Sequence, residues 1–508
     1  MKQLSSINSL ALVLVITLFY VNAKAQNNWD ASINEQLPAV LKKHREFTSI
    51  PNVSANQADM YKNINYLTPE FEKLGFKVRL LESSTLPVVL AEKVINPNAK
   101  TILFYFHLDG QPVNPTNWNQ ENPFVPVLKK RNPTGDWEEI DWNNIDGTID
   151  EDWRIFGRAV ADDKGPITMM LTALEIIAKE KANLVFNVKI VLDLQEEVGS
   201  QAFISTLEKY KNDYAADYMI IMDGPAHNTN KPTLTFGCRG IATCSITVYG
   251  AKLPQHSGHY GNYAPNPIFT LSHLLASMKD EQGYVTIPGF YDGISITPEV
   301  QALLANVPDV EEDIRKEIGI NTPDSVGNGY QESLQYPSLN IRHIETSWKG
   351  SGLKTVIPEL VTAHLDVRLV KETDGAVQIR KIKKHVQKQG YLVLDREPTD
   401  TERLNNRKIA RFEGNAGVNA FRTDMNAPLG QKLIGALESY FGEKPVSIRT
   451  MGGTVPIVPA INTLQIPAII VPMVNMDNNQ HNPNENLRIG NMVTGIKMCL
   501  IILTTELD

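Results

Sequence analysis

Two histidines, His107 and His481, two aspartates, Asp162 and Asp223, and one glutamate, Glu197, are the side chains whose types best suit metal chemistry. A mixed set of imidazole nitrogens and carboxylate oxygens suits zinc, with manganese or cobalt as substitutes. Glu196 stands next to Glu197, and chain neighbours on a strand or loop point in different directions. One carboxylate can therefore bind metal while the other faces the reacting water as general base. Asp109, two residues after His107, is placed to fix the tautomer of that histidine. Each residue alone also has an ordinary use, since aspartates are common at helix starts and strand-end histidines are commonly hydrogen-bonded.

Strands must gather residues spread from position 107 to 481. Four apolar runs bounded by turn residues predict buried strands of an α/β sheet: Thr101 to Phe106, Phe186 to Leu194, Tyr218 to Met222 and Ala468 to Val474. Between the first two, Ile167, Met170, Leu171, Leu174, Ile177 and Ala178 keep helical spacing over Pro166 to Lys181, and Gly165-Pro166 suits the start. In open α/β sheets ligands gather beyond the carboxyl ends of the strands. There His107 and Asp109 follow the first run, Glu196-Glu197 the second and Asp223 the third, while the last runs on into a Pro- and Asn-rich loop carrying His481. A second pattern, in which Ala242 to Tyr249 and Leu360 to Val370 alternate apolar and polar residues, predicts half-exposed strands with helices near Pro267 to Asp280 and Gly375 to Gln389. The expected organisation is a catalytic domain over 26–238 and 396–508 with a smaller α+β lid and dimerisation domain inserted at 239–395.

The 508 residues are 42% hydrophobic and 21% charged, an ordinary globular composition that is long enough for two domains. A net charge of −8 and a pI near 5.8 exclude the basic footprint of a nucleic-acid-binding protein. Lys2, the apolar run Ala11 to Val21 and the small-x-small site Ala23-Lys24-Ala25 read as a signal peptide over 1–25, so export to the periplasm or medium is expected. That run is too short for a stable membrane span. Three cysteines, at 238, 244 and 499, do not build a disulfide framework, although Cys238 and Cys244 could pair.

Five ordered segments carry a resemblance: HLD at 107–109, GRAVADDKGP at 157–166, QEEVGS at 195–200, MDGP at 222–225 and HNPNE at 481–485, joined by PQHSGHYG at 254–261 and KTVIP at 354–358. Together they resemble the dinuclear zinc peptidases that include carnosinase, cytosolic dipeptidase, aminoacylase, succinyl-diaminopimelate desuccinylase and glutamate carboxypeptidase, most of all the carnosinase and dipeptidase branch. The resemblance implies a catalytic domain with a mixed central sheet flanked by helices, two divalent metals and a cis peptide bond at Asp162-Asp163. It implies that Asp162 bridges the metals, that His107 and Asp223 complete one site and Glu197 and His481 the other, and that Glu196 is the catalytic base. His256 is similar to the histidine that, in family dimers, reaches the partner's active site to stabilise the oxyanion. Arg368, with Thr355, resembles the lid residues that grip a substrate carboxylate, and Gly452, Gly453 and Thr454 resemble a substrate-lining Gly-Gly-Ser segment.

The implied activity is metal-dependent hydrolysis of an amide bond in a dipeptide or short peptide. An N-acyl amino acid deacylase is the enzymatic alternative, and a binding protein that has kept the fold without its metals is the non-enzymatic one. Three departures bear on substrate: Asp424-Met-Asn-Ala-Pro428 where the carnosinase branch often has a histidine, Arg449-Thr-Met-Gly-Gly453 without the usual glutamate, and an acidic, Trp-rich insertion at about 132–153.

Overall fold

The computed structural model describes residues 29–348 and 354–507, so the expected signal segment lies outside the described residues. The chain forms two units. One extends to Thr235 and adds Thr423–Ser447 and the segment from Pro459 onward; the other comprises Phe236–Arg422 and Ile448–Val458.

The first unit holds a mixed sheet that is eight-stranded among the described residues. Six strands come before residue 236: β1 (Lys77–Leu81), β2 (Val88–Lys93), β3 (Thr101–His107), β4 (Asn187–Asp193), β5 (Tyr218–Ile221) and β6 (Thr233–Thr235). Their order is β1-β2-β4-β3-β5, then Ala468–Ile470, β6 and Val446–Ile448. The three central neighbours β4, β3 and β5 run parallel, with Phe104 opposite Ile190 on one side and Ile220 on the other. Nearly every residue of these strands is buried, as expected for a parallel sheet covered on both faces. Helices Lys164–Lys179 and Ile489–Thr504 pack together against it. The first starts two residues before the expected proline. Pro166 still falls in the first turn, where its missing N–H costs no helical bond. Gly165 is required there, because an added Cβ would lie 2.8 Å from the Val160 carbonyl oxygen.

The last expected strand is shorter than its apolar run and ends at Ile470, because Pro472 has no N–H to continue the ladder. The insertion at about 132–153 extends a small sheet in which Trp137–Ile140, Val127–Arg131, Arg154–Phe156 and Asn486–Arg488 lie side by side. The guanidinium groups of Arg131 and Arg154 lie 4.3 and 4.9 Å from the Trp137 ring centroid. Among the described residues no helix is long and apolar enough to cross a membrane. The three cysteines are buried free thiols, so Cys238 and Cys244 do not pair.

The second unit is built on five strands: β7 (Gly240–Tyr249), β8 (Ser338–Thr346), β9 (Leu360–Leu369), β10 (Leu392–Leu394) and β11 (Ile409–Val418), in the order β8-β9-β7-β11-β10. The inward residues Ala242, Cys244, Ile246 and Val248 lie along β7, the first three alternating with the half-buried Ile241, Thr243 and Ser245. They pack with Leu271 and Leu274 of helix Pro267–Ala276 and Ile382 and Val386 of helix Gly375–Lys388. This unit runs from Phe236 to Arg422, and within it β11 pairs with β7 along its length.

Candidate metal centre

The parallel register of β4, β3 and β5 carries the candidate residues to one edge of the sheet. His107 is the last residue of β3, Glu196 and Glu197 follow β4 by three and four positions, and Asp223 follows β5 by two. Two donor clusters result: His107, Asp162 and Asp223 form one, and Asp162, Glu197 and His481 form the other, with ligand atoms within 4.8 Å of one another in each. Asp162 belongs to both. Its Oδ1 lies 2.8 Å from His107 Nε2, and its Oδ2 lies 3.2 Å from His481 Nε2, which is also 3.1 Å from Glu197 Oε2. The Asp162-Asp163 peptide bond is cis.

The backbone around the centre is held by carboxylates. Asp109 accepts the backbone N–H of Glu196 at 3.0 Å and that of Glu197 at 3.3 Å, so one side chain fixes the segment that carries both glutamates. His107 Nδ1 is closer to the Asp109 carbonyl oxygen, at 3.0 Å, than to the Asp109 carboxylate, at 3.6 Å. A carbonyl only accepts, so Nδ1 carries a proton; Nε2 also carries one, donated to Asp162 Oδ1, and must lose it before that nitrogen can bind metal. Gln111 donates to Glu197 Oε2 at 2.7 Å.

Glu485 was part of a quoted segment but had no expected role. Fully buried, it accepts Arg158 Nη1 at 2.7 Å and the backbone N–H groups of Ala159 at 3.0 Å, Ala161 at 2.9 Å and Asp162 at 3.0 Å. Burial raises its pKa, yet every partner is a donor, which fixes it as a carboxylate. Hydrogen bonds to a charged group contribute about 1.5–3 kcal/mol each, so four offset a burial penalty of several kcal/mol. The loop bearing His481 is thereby tied to the loop bearing Asp162. Lys164 and Asn52 brace the other side. Lys164 Nζ donates to the carbonyls of Phe47 and Ile50, and Asn52 Nδ2 to that of Leu108.

The charges balance only with protons or cations. Burial alone would lower the His107 pKa, but hydrogen bonds to Asp109 and Asp162 raise it well above the usual value. Hydrogen bonds to Asp162 and Glu197 raise His481 to about 10. Burial lifts Asp223 to about 6 and pushes Glu196 well above the usual carboxylate range. Five nitrogen and oxygen donors, one shared by both clusters, together with the buried Asp163 Oδ1 that has no hydrogen-bond partner, fit two divalent cations.

The remaining expected residues lie in the second unit, in two places. His256 ends the short strand Gln255–His256, which pairs with Val356–Ile357, and Thr355 accepts both the N–H and the hydroxyl of Ser257 at 3.0 Å through its carbonyl. His256 Nδ1 accepts the Gly258 N–H at 3.0 Å, so the proton of its neutral ring is on Nε2. Arg368 Nη1 donates to Thr454 Oγ1 at 2.9 Å, beside Gly452 and Gly453.

The sequence pattern of peptidase family M20/M25/M40 matches residues 103–505. The Cys-Gly metallodipeptidase dug1 of Schizosaccharomyces pombe is 27% identical over 500 residues, covering 92% of this chain and 97% of the relative. The Beta-Ala-His dipeptidase of Mus musculus is 27% identical over 421 residues, 81% of this chain and 78% of the relative. The crystal structure of an M20 family metallo-carboxypeptidase, Sso-CP2 from Sulfolobus solfataricus, superposes with a TM-score of 0.71 at 28% identity, covering 92% of this chain and 98% of that one. These matches correct the expectation of export. The similarity that spans most of the chain runs to a yeast Cys-Gly metallodipeptidase, which gives an exported location no support, and that location is withdrawn.

Proposed function

This chain belongs to peptidase family M20/M25/M40, and from that premise we propose that it hydrolyses the amide bond of dipeptides and short peptides at a centre of two divalent metals, zinc in the resting enzyme. His107, Asp162 and Asp223 would hold one metal, and Asp162, Glu197 and His481 the other. The observation that carries this reading is Asp162, whose two carboxylate oxygens face different histidines. Two such cations polarise a scissile carbonyl and lower the pKa of a water to near neutrality. Glu196 takes the proton of the attacking water and returns it to the leaving amine nitrogen. The mixed nitrogen and oxygen donor set supports zinc.

A homodimer formed through the second unit completes the reading. Strand β8 lies at the sheet edge and leaves Ile341 and Ile344 exposed, a surface suited to a second copy. In that dimer His256 donates its Nε2–H to the developing oxyanion, while Arg368 and Thr454 take the substrate's carboxylate. His256→Ala is then expected to lower kcat by about 10²–10³-fold with metal content unchanged. Equal turnover in the variant would remove His256 from the oxyanion site.

Proton release tests the centre itself. A histidine with a raised pKa keeps its proton above neutral pH and must lose it before its nitrogen can bind metal. At pH 7, loading the metal-free protein with zinc is therefore expected to release protons, those of His107 and His481 among them. Metal affinity then falls as the pH is lowered. Indicator titration in weak buffer reads the release, and zinc binding without proton release would place the metal elsewhere. Hydrolysis of a dipeptide panel, compared with N-acetylated amino acids, tests the substrate class.

A further inference from the structure

We propose that Arg239 is a second guanidinium of a carboxylate-binding subsite, paired with Arg368 and closed by Thr454, so that this enzyme's preference for substrates with a free C-terminal carboxylate rests on both arginines. The inference deepens the dipeptidase reading and rests on it.

Arg239 lies just after Gly237–Cys238 and is only 7% exposed. Its backbone N–H bonds to the Met451 carbonyl at 3.1 Å, which places it against the segment leading to Gly452, Gly453 and Thr454. One edge of the guanidinium is fixed: Nη2 donates to the Tyr336 carbonyl at 2.7 Å and to Ser338 Oγ at 3.1 Å. The buried Nε has no hydrogen-bond partner. The Nε of Arg154, Arg158, Arg315 and Arg411 is likewise open, so what marks Arg239 is the open N–H on an anchored fork together with the second guanidinium that its anchor Ser338 faces across the strands.

Arg368 flanks the same point. It is directly opposite Ser338 in the β8–β9 pairing, so the serine that anchors Arg239 is the cross-strand neighbour of Arg368. Its own fork is steadied by Thr454 on Nη1. Asp366 approaches Arg368 Nε only to 3.9 Å, too long for a hydrogen bond. Two cations thus stand beside one carboxylate, and burial together with the charge of Arg368 lowers the Arg239 pKa to about 10. Like charges held together in a desolvated place destabilise one another unless an anion joins them. A planar carboxylate matches two converging guanidinium groups in shape as well as charge.

The test compares alanyl-glycine with alanyl-glycinamide on the metal-loaded enzyme, and adds calorimetric titration of N-acetylglycine, which reads carboxylate binding whether or not a dipeptide is cleaved. Wild type is expected to prefer the acid. Arg239→Gln is expected to reduce that preference in kcat/KM by about 30-fold, mainly through KM, with the amide changed by less than about twofold. It should weaken N-acetylglycine by a similar factor. Arg239→Lys, which keeps the charge and loses the fork, should fall between. If Arg239→Gln does not fold, Ser338→Ala, which frees one anchor of the fork, should still lower the acid preference by about threefold. Equal losses for acid and amide, an unchanged preference, or unchanged N-acetylglycine affinity in the folded variants would overturn the assignment. Absence of dipeptide cleavage by wild type with N-acetylglycine binding still dependent on Arg239 would instead count against the dipeptidase reading alone.

Discussion

Glu196→Gln is expected to lower kcat by about 10²–10⁴-fold while both metals stay bound. Glu196 lies outside both donor clusters, yet the charges of His107, Asp223, Asp162 and Glu197 all act on its carboxyl. Its backbone is fixed by Asp109, so the side chain projects from an anchored point. Burial raises its pKa first, and the neighbouring carboxylates add to this. A base of raised pKa holds the proton it has taken long enough to deliver it to the leaving nitrogen. Glutamine keeps the size and removes the proton acceptor, so KM should change little. Metal analysis beside steady-state kinetics decides the matter. If metal content falls with activity, Glu196 is a ligand and the roles of the paired glutamates are reversed.

Asp162→Asn is expected to empty the centre altogether, whereas Asp223→Asn should reduce the content from about two metals per chain to about one. The asymmetry follows from geometry. Asp162 turns one oxygen to each histidine, while Asp223 belongs to a single cluster. An asparagine keeps one oxygen acceptor, but its amide nitrogen offers no lone pair. Elemental analysis after dialysis gives the count, and an Asp162→Asn protein that retains one metal would show that the carboxylate is not shared.

Much of this was readable from residue types and spacing. The runs ending at His107, Asp193 and Ile221 are mostly apolar and almost wholly buried because both faces of a parallel sheet are covered, and such strands announce themselves without alternation. Since those strands are neighbours, residues just past their ends had to meet. What could not be read depends on directions that sequence does not carry. Asp109 was expected to fix a histidine tautomer; its carboxylate lies 3.6 Å from His107 Nδ1, with its backbone carbonyl nearer at 3.0 Å, and the same carboxylate also holds the N–H groups of Glu196 and Glu197. Glu485 sits among asparagines with no periodic signal, and only the fold reveals that its four partners lie far upstream. Strand β11 escaped notice because IARFEGNAGV loses its alternation after Glu413, where the strand becomes exposed.

Glu485 also sets a schedule. The contacts it makes with Arg158, Ala159, Ala161 and Asp162 cross more than three hundred positions, and the strand Ala468–Ile470 that joins β5 comes just as late in the chain. A chain emerging from the ribosome has synthesised Asp162 and Glu197 long before His481 and Glu485 can reach them, and contacts of such separation form late in folding. The loop carrying Asp162 therefore waits for residues 481–485, and hydrolysis is expected only after they have emerged. Nascent chains stalled before residue 481 should be silent, which would keep an amide-cleaving centre inactive while the growing peptide beside it is still unfolded.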